Sequence, residues 1–276
     1  MEERNIEGWQ YYKHAMIPTS APHEEPDLSL LKSGEIWEKG FPLLVRWTSD
    51  WDCGYDTGWW YIVRERPFEY SKLSASSRRN IRKALRNCYV EKIDPVQYID
   101  DLWRVFNEAA TRYKNYIMPF DKDGFIREWI NSGKDFWAGF ENEESRMIGF
   151  ATFEVHTDWV DYQVAKYSSE QLKLRVSDAI NVTVLEYYLN KLGKRYISDG
   201  QRSVLHTTNV QNYLIEHFAY RKSYCKLHIR YRNVFGLLVK VMFPFRKTLR
   251  HLDGINRVHQ INSILTMEEV VRDENG

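Results

Sequence analysis

Hydrophobic residues recur at every second position in some stretches of the chain and at every third or fourth position in others. These two patterns predict strands and helices respectively. From residue 89 onwards they predict a strand, two helices, three strands, a helix, a strand, a helix and a final strand. The helix after the three strands is expected over Val176–Leu192, ended by Gly193 in a left-handed conformation. This order predicts an α/β (α+β) fold with a central mixed sheet flanked by helices.

The two ends of the chain have different patterns from its middle. Residues 1–40 contain many turn-forming residues and are expected to form an irregular arm. The apolar runs Leu43–Trp47 and Trp59–Val63 predict a hairpin with a long loop. We therefore expect an arm and hairpin over residues 1–66 packed on a main domain over residues 67–233. An amphipathic helical extension is expected over residues 234–276.

Composition narrows the class of protein. The chain has 276 residues, a formal net charge of +1 and 15% aromatic residues. Near-neutral charge excludes a protein whose main role is to coat duplex nucleic acid. Its three cysteines have no metal-binding spacing, which is typical of reduced thiols in a cytoplasmic protein. No leader pattern and no apolar run of about 18 residues is visible, so we expect neither a signal peptide nor a membrane-spanning helix.

One short helix carries much of the positive charge. In "SASSRRNIRKALRN", Ser74–Asn87, five of fourteen residues are Arg or Lys. Arg78, Arg82 and Arg86 are spaced by four and share one face. Three interpretations remain open for this helix: a solvated surface, a clamp for a phosphate group, or a contact with RNA or anionic lipid.

Familiar catalytic motifs are lacking. The sequence contains no HExxH or CxxC motif, so we predict no metal site. It also lacks a Walker loop, a dinucleotide-binding glycine fingerprint and a GxSxG elbow.

Three stretches together resemble a known family. They are "LSASSRRNIRKALRNCYVEKI", "LRVSDAINVTVLEYYLNKLGKRYISDG" and "TTNVQNYLIEHFAYRKSYCKLHIRY". With the element order over roughly residues 89–231, they resemble the GNAT acyltransferases, and most of all the Fem-type branch. The resemblance implies transfer of an acyl or aminoacyl group to an amine. The acceptor would be a small molecule or a cell-envelope or polysaccharide precursor.

The resemblance also implies where the acyl donor would bind. In the family, amide groups at the N-terminus of the helix after the three strands hold a pyrophosphate, an arrangement that the helix dipole favours. In this chain the residues at that N-terminus are Arg175, Val176, Ser177 and Ala179. The resemblance implies that they bind the pyrophosphate of acetyl-CoA or of another acyl-CoA, which would be the acyl donor. The family's glycines are missing from "KLRVSDAIN" and Asp178 would repel a pyrophosphate, so aminoacyl-tRNA is the alternative donor. Asn209 and Asn212 are further candidates for donor binding.

Candidate catalytic residues lie near the predicted strand ends. Tyr213 is the tyrosine nearest to the family's general acid, and His206 is a candidate base. Asp199 follows a strand, and Asp161 lies on a central one. Simple alternation places Asp161, Gln163 and Ala165 on one face of that strand, where polar groups need a cavity or partners.

Basic and polar side chains on the predicted helix 74–87 and on the central strand are candidates for substrate binding. Arg78, Arg82 and Gln163 are the candidate substrate-binding residues. A noncatalytic binding protein on the same scaffold is one alternative function, and a protein that binds RNA or anionic lipid through residues 74–87 is another. The apolar stretch 235–250 is followed by basic residues, which allows peripheral membrane contact. A helix docked on its own domain or in a homodimer is the favoured interpretation of that stretch.

Overall fold

The computed structural model describes residues 4–111, 121–169, 172–205, 209–253 and 256–275. These residues form ten strands and ten α-helices, so the predicted mixed α/β class is confirmed. The strands are β1 Trp9–Tyr12, β2 Ala15–Pro18, β3 Leu44–Ser49, β4 Trp59–Glu65, β5 Cys88–Ile93, β6 Asp135–Glu141, β7 Met147–Val155, β8 Trp159–Tyr167, β9 Tyr196–Gln201 and β10 Arg221–Tyr231. The helices are α1 Ser29–Ser33, α2 Glu35–Lys39, α3 Ala75–Asn87, α4 Ile99–Ala110, α5 Lys122–Glu128, α6 Val176–Leu185, α7 Asn209–Phe218, α8 Asn233–Met242, α9 Arg246–Arg250 and α10 Asn256–Asn275.

The chain divides into two compact units. The first consists of residues 1–61, 201–208 and 222–276, and the second of residues 62–200 and 209–221. Among the described residues, no helix is long and apolar enough to cross a membrane.

The second unit contains a five-stranded sheet in the order β9-β8-β7-β6-β5. Neighbouring strands from β5 to β8 are antiparallel, whereas β8 and β9 are parallel. Helix α4 presents an apolar face to one side of this sheet, because its buried residues recur at helical spacing. Their core is rich in aromatic side chains, including Phe106, Phe125, Phe136 and Phe150.

Two glycines let helix α6 lie close to the other side of that sheet. A Cβ atom on Gly139 would lie 2.3 Å from Cγ2 of Val176. One on Gly149 would lie 2.6 Å from the ring of Tyr167 and 3.3 Å from Val176. The N-terminal turn of α6 is therefore fixed against the strands. The helix continues as a π-helical segment over Glu186–Lys191, and Gly193 has the expected positive φ of 66°.

The first unit contains strands in the order β1-β2-β3-β10. Only β2 and β3 are parallel among these neighbours. The predicted hairpin is wrong, because β3 pairs with β2 on one side and with β10 on the other. Buried residues of the supposedly irregular arm, Trp9, Met16 and Ile36, pack with Val45 in a common core. The polar end of the chain, in turn, forms the long helix α10.

Candidate active site

The candidate site lies in the second unit, where β8 and β9 separate. Within the described chain these strands pair over three positions, Trp159↔Tyr196, Val160↔Ile197 and Asp161↔Ser198. Both strands continue beyond the last pair, to Tyr167 and Gln201. Parallel strands that part at their carboxyl ends leave a crevice, and such crevices are the usual ligand sites of open sheets.

A β-bulge in β8 decides which side chains face each side of the sheet. Thr152 pairs with Val164, whereas the next residue, Phe153, pairs with Tyr162, so Gln163 is the extra residue. The predicted alternation is therefore wrong beyond this point, since Ala165 shares the face of Tyr162 and not that of Asp161. Bulges of this kind often re-aim side chains next to active sites.

Asp199 is the group whose proton affinity is best matched to acid–base chemistry. It lies within β9, two residues before the strand ends, rather than after a strand as predicted, and it is half-buried. Burial raises the pKa of its carboxyl to about 7, and the nearby charge of Asp161 acts in the same direction. A hydrogen bond with the side chain of Gln211 opposes this shift. A carboxylate with a pKa near neutrality is suited to accept a proton during a reaction.

Asp161 lies in a small polar cluster on β8. Nε2 of Gln163 donates to Oδ2 of Asp161 at 2.6 Å, and Nζ of Lys134 donates to Oε1 of Gln163 at 3.5 Å. Burial and the neighbouring Glu154 raise the pKa of Asp161 to about 6, whereas Lys134 lowers it. Lys134 also lines a cavity of ≈ 150 Å³ together with Thr152 and other residues of the same face. Asp161 and Gln163, both predicted site residues, therefore lie in a polar cluster, and Lys134 of that cluster lines a cavity.

Three tyrosines, Tyr162, Tyr167 and Tyr220, lie near Asp199 at the crevice. The hydroxyl groups of Tyr162 and Tyr167 lie 3.3 Å apart. Burial raises the pKa of Tyr167 to about 12 and that of Tyr162 well above its ordinary value. The buried hydroxyl of Tyr220, close enough to Asp199 for their charges to interact, has no hydrogen-bond partner among the described residues. An unsatisfied buried hydroxyl costs about 1–3 kcal/mol, which makes it a ready partner for a polar group of a ligand.

The N-terminus of α6 has the wrong chemistry for a pyrophosphate. Asp178, in the first turn, is only 2% exposed, and Nη1 of Arg175 lies 3.6 Å from its Oδ2 atom. The hydroxyl of Tyr213 donates to Oγ of Ser177 at 3.3 Å. Burial raises the pKa of Asp178, and burial together with Asp178 raises that of Tyr213. Because an aspartate already occupies the positive end of the helix dipole, the residues present do not fit the pyrophosphate of acetyl-CoA or another acyl-CoA.

The other predicted donor-site residues are dispersed. Val176 and Ala179 are fully buried and pack inward from α6. Asn209 and Asn212 are exposed on α7. His206 lies outside the described residues. The structure therefore brings Arg175 and Ser177 of this set together with Tyr213, the predicted general acid, but around Asp178.

In the basic helix α3, the side chain of Arg78 forms hydrogen bonds to the backbone of the preceding segment. Nη1 of Arg78 donates to the backbone oxygens of Ser71 and Leu73, at 2.5 and 2.9 Å. Arg82 is exposed on α3. Ser74 caps the helix by accepting from the amide of Ser77 at 3.1 Å. Arg78 therefore anchors the segment before α3, whereas Arg82 remains available to solvent.

Several residues of the crevice were missed by sequence reasoning. Tyr162, Tyr167, Tyr220 and Gln211 have no motif, and only the tertiary structure places them beside Asp199. The high aromatic content was the single available signal, and it does not identify positions. Within the described ranges, no group of three or more His, Cys, Asp or Glu side chains is placed to hold a metal ion.

Comparisons with known proteins concern the fold. No protein-family model and no curated protein matches this chain. Among solved structures it is similar to the C-terminal domain of a protein assigned as a lysylphosphatidylglycerol synthetase from Agrobacterium fabrum, with a TM-score of 0.56 and 12% identity over 84% of this chain and 82% of the other. It is also similar to L-PGS from Bacillus licheniformis (TM-score 0.52, 13% identity, 96% and 85% covered) and to FemX (TM-score 0.56, 9% identity, 78% and 81% covered). This chain therefore has a GNAT/Fem-like fold.

Proposed function

We propose that this protein transfers an aminoacyl group from an activated ester, carried by tRNA, to an acceptor amine at the crevice between β8 and β9. The observation that carries the proposal is the half-buried Asp199 with its pKa of about 7. Fold similarity to FemX and to the lysylphosphatidylglycerol synthetase domain supports the general class of acyl transfer.

In the proposed reaction, Asp199 accepts a proton from the acceptor as the nitrogen bonds to the acyl carbon. The ester C–O bond then breaks, and the leaving oxygen takes up the proton that Asp199 accepted, which leaves the carboxylate ionised again. Gln211 orients the carboxylate through its hydrogen bond. The hydroxyl groups of Tyr162, Tyr167 and Tyr220 line the crevice and offer donors to the polar groups of the substrate.

The choice of donor follows from the N-terminus of α6. Buried Asp178 disfavours a second anion there, which removes the usual means of holding an acyl-CoA. An aminoacyl ester needs no pyrophosphate at that position. The acceptor is an amine of a small molecule or of an envelope precursor.

The test is a transfer assay with the purified chain. Total tRNA charged with radiolabelled amino acids is compared with labelled acetyl-CoA, each against a panel of polyamines, amino sugars and envelope-lipid extracts. We expect acceptor-dependent loss of label from tRNA and none from acetyl-CoA. The rate should rise with pH through about 7, because only ionised Asp199 can accept the proton.

The matched variants separate the parts of the proposal. Asp199→Asn should slow transfer by about 10²- to 10⁴-fold, the usual contribution of a general base. Glu143→Gln makes the same chemical change at an exposed turn and should leave the rate unchanged. A full rate in Asp199→Asn would remove Asp199 from the reaction, and use of acetyl-CoA would overturn the choice of donor. Turnover of neither donor would favour a noncatalytic binding protein on this scaffold.

A further inference from the structure

Helix α8, in the first unit, exposes an unusually apolar face. Its outward side chains are large and hydrophobic, and most of their surface is accessible. They are Val234 (76% exposed), Leu237 (63%), Leu238 (52%) and Val241 (59%), followed by Phe245 (61%) just beyond the helix. With about 3.6 residues per turn, the four helical positions form one continuous stripe. An exposed apolar stripe of this kind marks an interaction surface.

The opposite face of the same helix is firmly attached to its own unit. Val239 is buried, and just beyond the helix the ring of Phe243 contacts two guanidinium groups, with Arg246 4.2 Å and Arg272 3.9 Å from its centroid. Arg246 and Arg250 also form ion pairs with Glu269 of α10, at 2.7 and 2.6 Å. The exposed stripe is therefore the outer face of a docked helix.

The surroundings of the stripe are positively charged. From Lys222 to Leu252 the sequence contains eight Lys or Arg residues and no Asp or Glu, in a chain of net charge +1. Four of these cations, Arg230, Arg232, Lys240 and Lys247, form no ion pair with any described residue. Arg232 also lies 5.6 Å from the ring of Phe41, itself 59% exposed. Free cations thus accompany exposed apolar side chains on this surface.

We infer that this surface, Val234–Phe245 with its flanking cations, docks on an anionic phospholipid bilayer. A helix of ten residues is about 15 Å long, too short to span a bilayer but able to lie in its interface. Aliphatic side chains enter the acyl boundary while Lys240, Lys247 and Arg232 meet the phosphates, each cation adding to the attraction.

Two other occupants fit the surface less well. A symmetric dimer would place the same unpaired cations of two copies against each other. RNA would engage the cations but would leave the aliphatic stripe uncovered, because bases stack on aromatic or guanidinium surfaces. The inference does not depend on the transfer reaction, since membrane docking needs no donor or acceptor.

Vesicle flotation of the full chain tests the inference. We compare vesicles of phosphatidylcholine alone with vesicles containing about one third phosphatidylglycerol, a fraction at which basic segments bind anionic surfaces. Binding should require the anionic lipid and weaken at high salt. Leu237→Glu with Leu238→Glu should reduce the bound fraction at least tenfold, as should Lys240→Glu with Lys247→Glu. Val96→Glu, at a residue of the second unit that is 59% exposed, is the matched control and should bind normally.

Each remaining outcome would overturn the inference. Absence of binding to anionic vesicles would do so directly. Equal binding by the Leu237→Glu and Leu238→Glu variant would show that the stripe takes no part. A concentration-dependent dimer that this variant abolishes, without vesicle binding, would assign the surface to a second copy. Salt-sensitive tRNA binding that Lys240→Glu with Lys247→Glu abolishes, without any vesicle binding, would assign the cations to RNA.

Discussion

Replacing Asp199 with Asn should change how the stability of the protein depends on pH. The folded carboxyl has a pKa of about 7, raised from 3.8 by burial. The folded state therefore retains a proton that the unfolded chain releases between these two values. Stability is consequently lost as pH rises from about 4 to about 7. Asparagine keeps nearly the same shape and never ionises, so the variant should not show this loss.

The size of the change in the free energy of unfolding follows from the difference between the folded and unfolded pKa of Asp199. A displacement from 3.8 to about 7 corresponds to about 4 kcal/mol across the whole window, of which about 2.5 kcal/mol falls between pH 5 and pH 8. Partial solvent contact of the half-buried carboxyl screens the charge and reduces the second figure to roughly 1–2 kcal/mol. Between pH 5 and pH 8 the Asp199→Asn variant should gain that much stability relative to the natural chain.

Urea denaturation at pH 5, 6, 7 and 8 measures the effect, with the free energy of unfolding extrapolated to water at each pH. Glu143→Gln serves as the control, because its side chain is exposed in the turn between β6 and β7. If the curves of Asp199→Asn and the natural chain run parallel over this range, the carboxyl is not held in a desolvated position. The reasoning that makes it a base near neutral pH would then fail as well.

Two further predictions concern packing and charge. Gly139→Ala should lower the free energy of unfolding by about 1–3 kcal/mol, because the added methyl group overpacks against Val176. In a double-mutant cycle with Val176→Ala, urea denaturation should show a favourable coupling of about 1 kcal/mol between the two substitutions. Additive effects would mean that α6 adjusts freely over the sheet. Arg78→Ala should cost about 1–2 kcal/mol by removing two hydrogen bonds to backbone oxygens, whereas Arg82→Ala should change stability by less than about 0.5 kcal/mol. Equal thermal stability of these two arginine variants would contradict the anchoring role of Arg78.

Some of the candidate site could be predicted from residue type and position. Asp161 and Asp199 were identified because polar residues on or after a central strand need partners or a cavity. Their pKa values, however, depend on burial by residues distant in sequence, and no local pattern reports that. The bulge at Gln163 is similarly hidden, since it depends on the register that β8 adopts against β7.

The sequence by itself determined the order of helices and strands from residue 89 to residue 231, because hydrophobic periodicity reports which face of a local segment is buried. It also determined that an aspartate stands where a pyrophosphate-binding turn would need glycine. Only the tertiary structure decided that β10 pairs with β3, that the first strands of the chain join the same sheet, and that three tyrosines gather around Asp199. These features depend on contacts between residues far apart in the chain, whose pairing is set by the packing of the whole unit rather than by local periodicity.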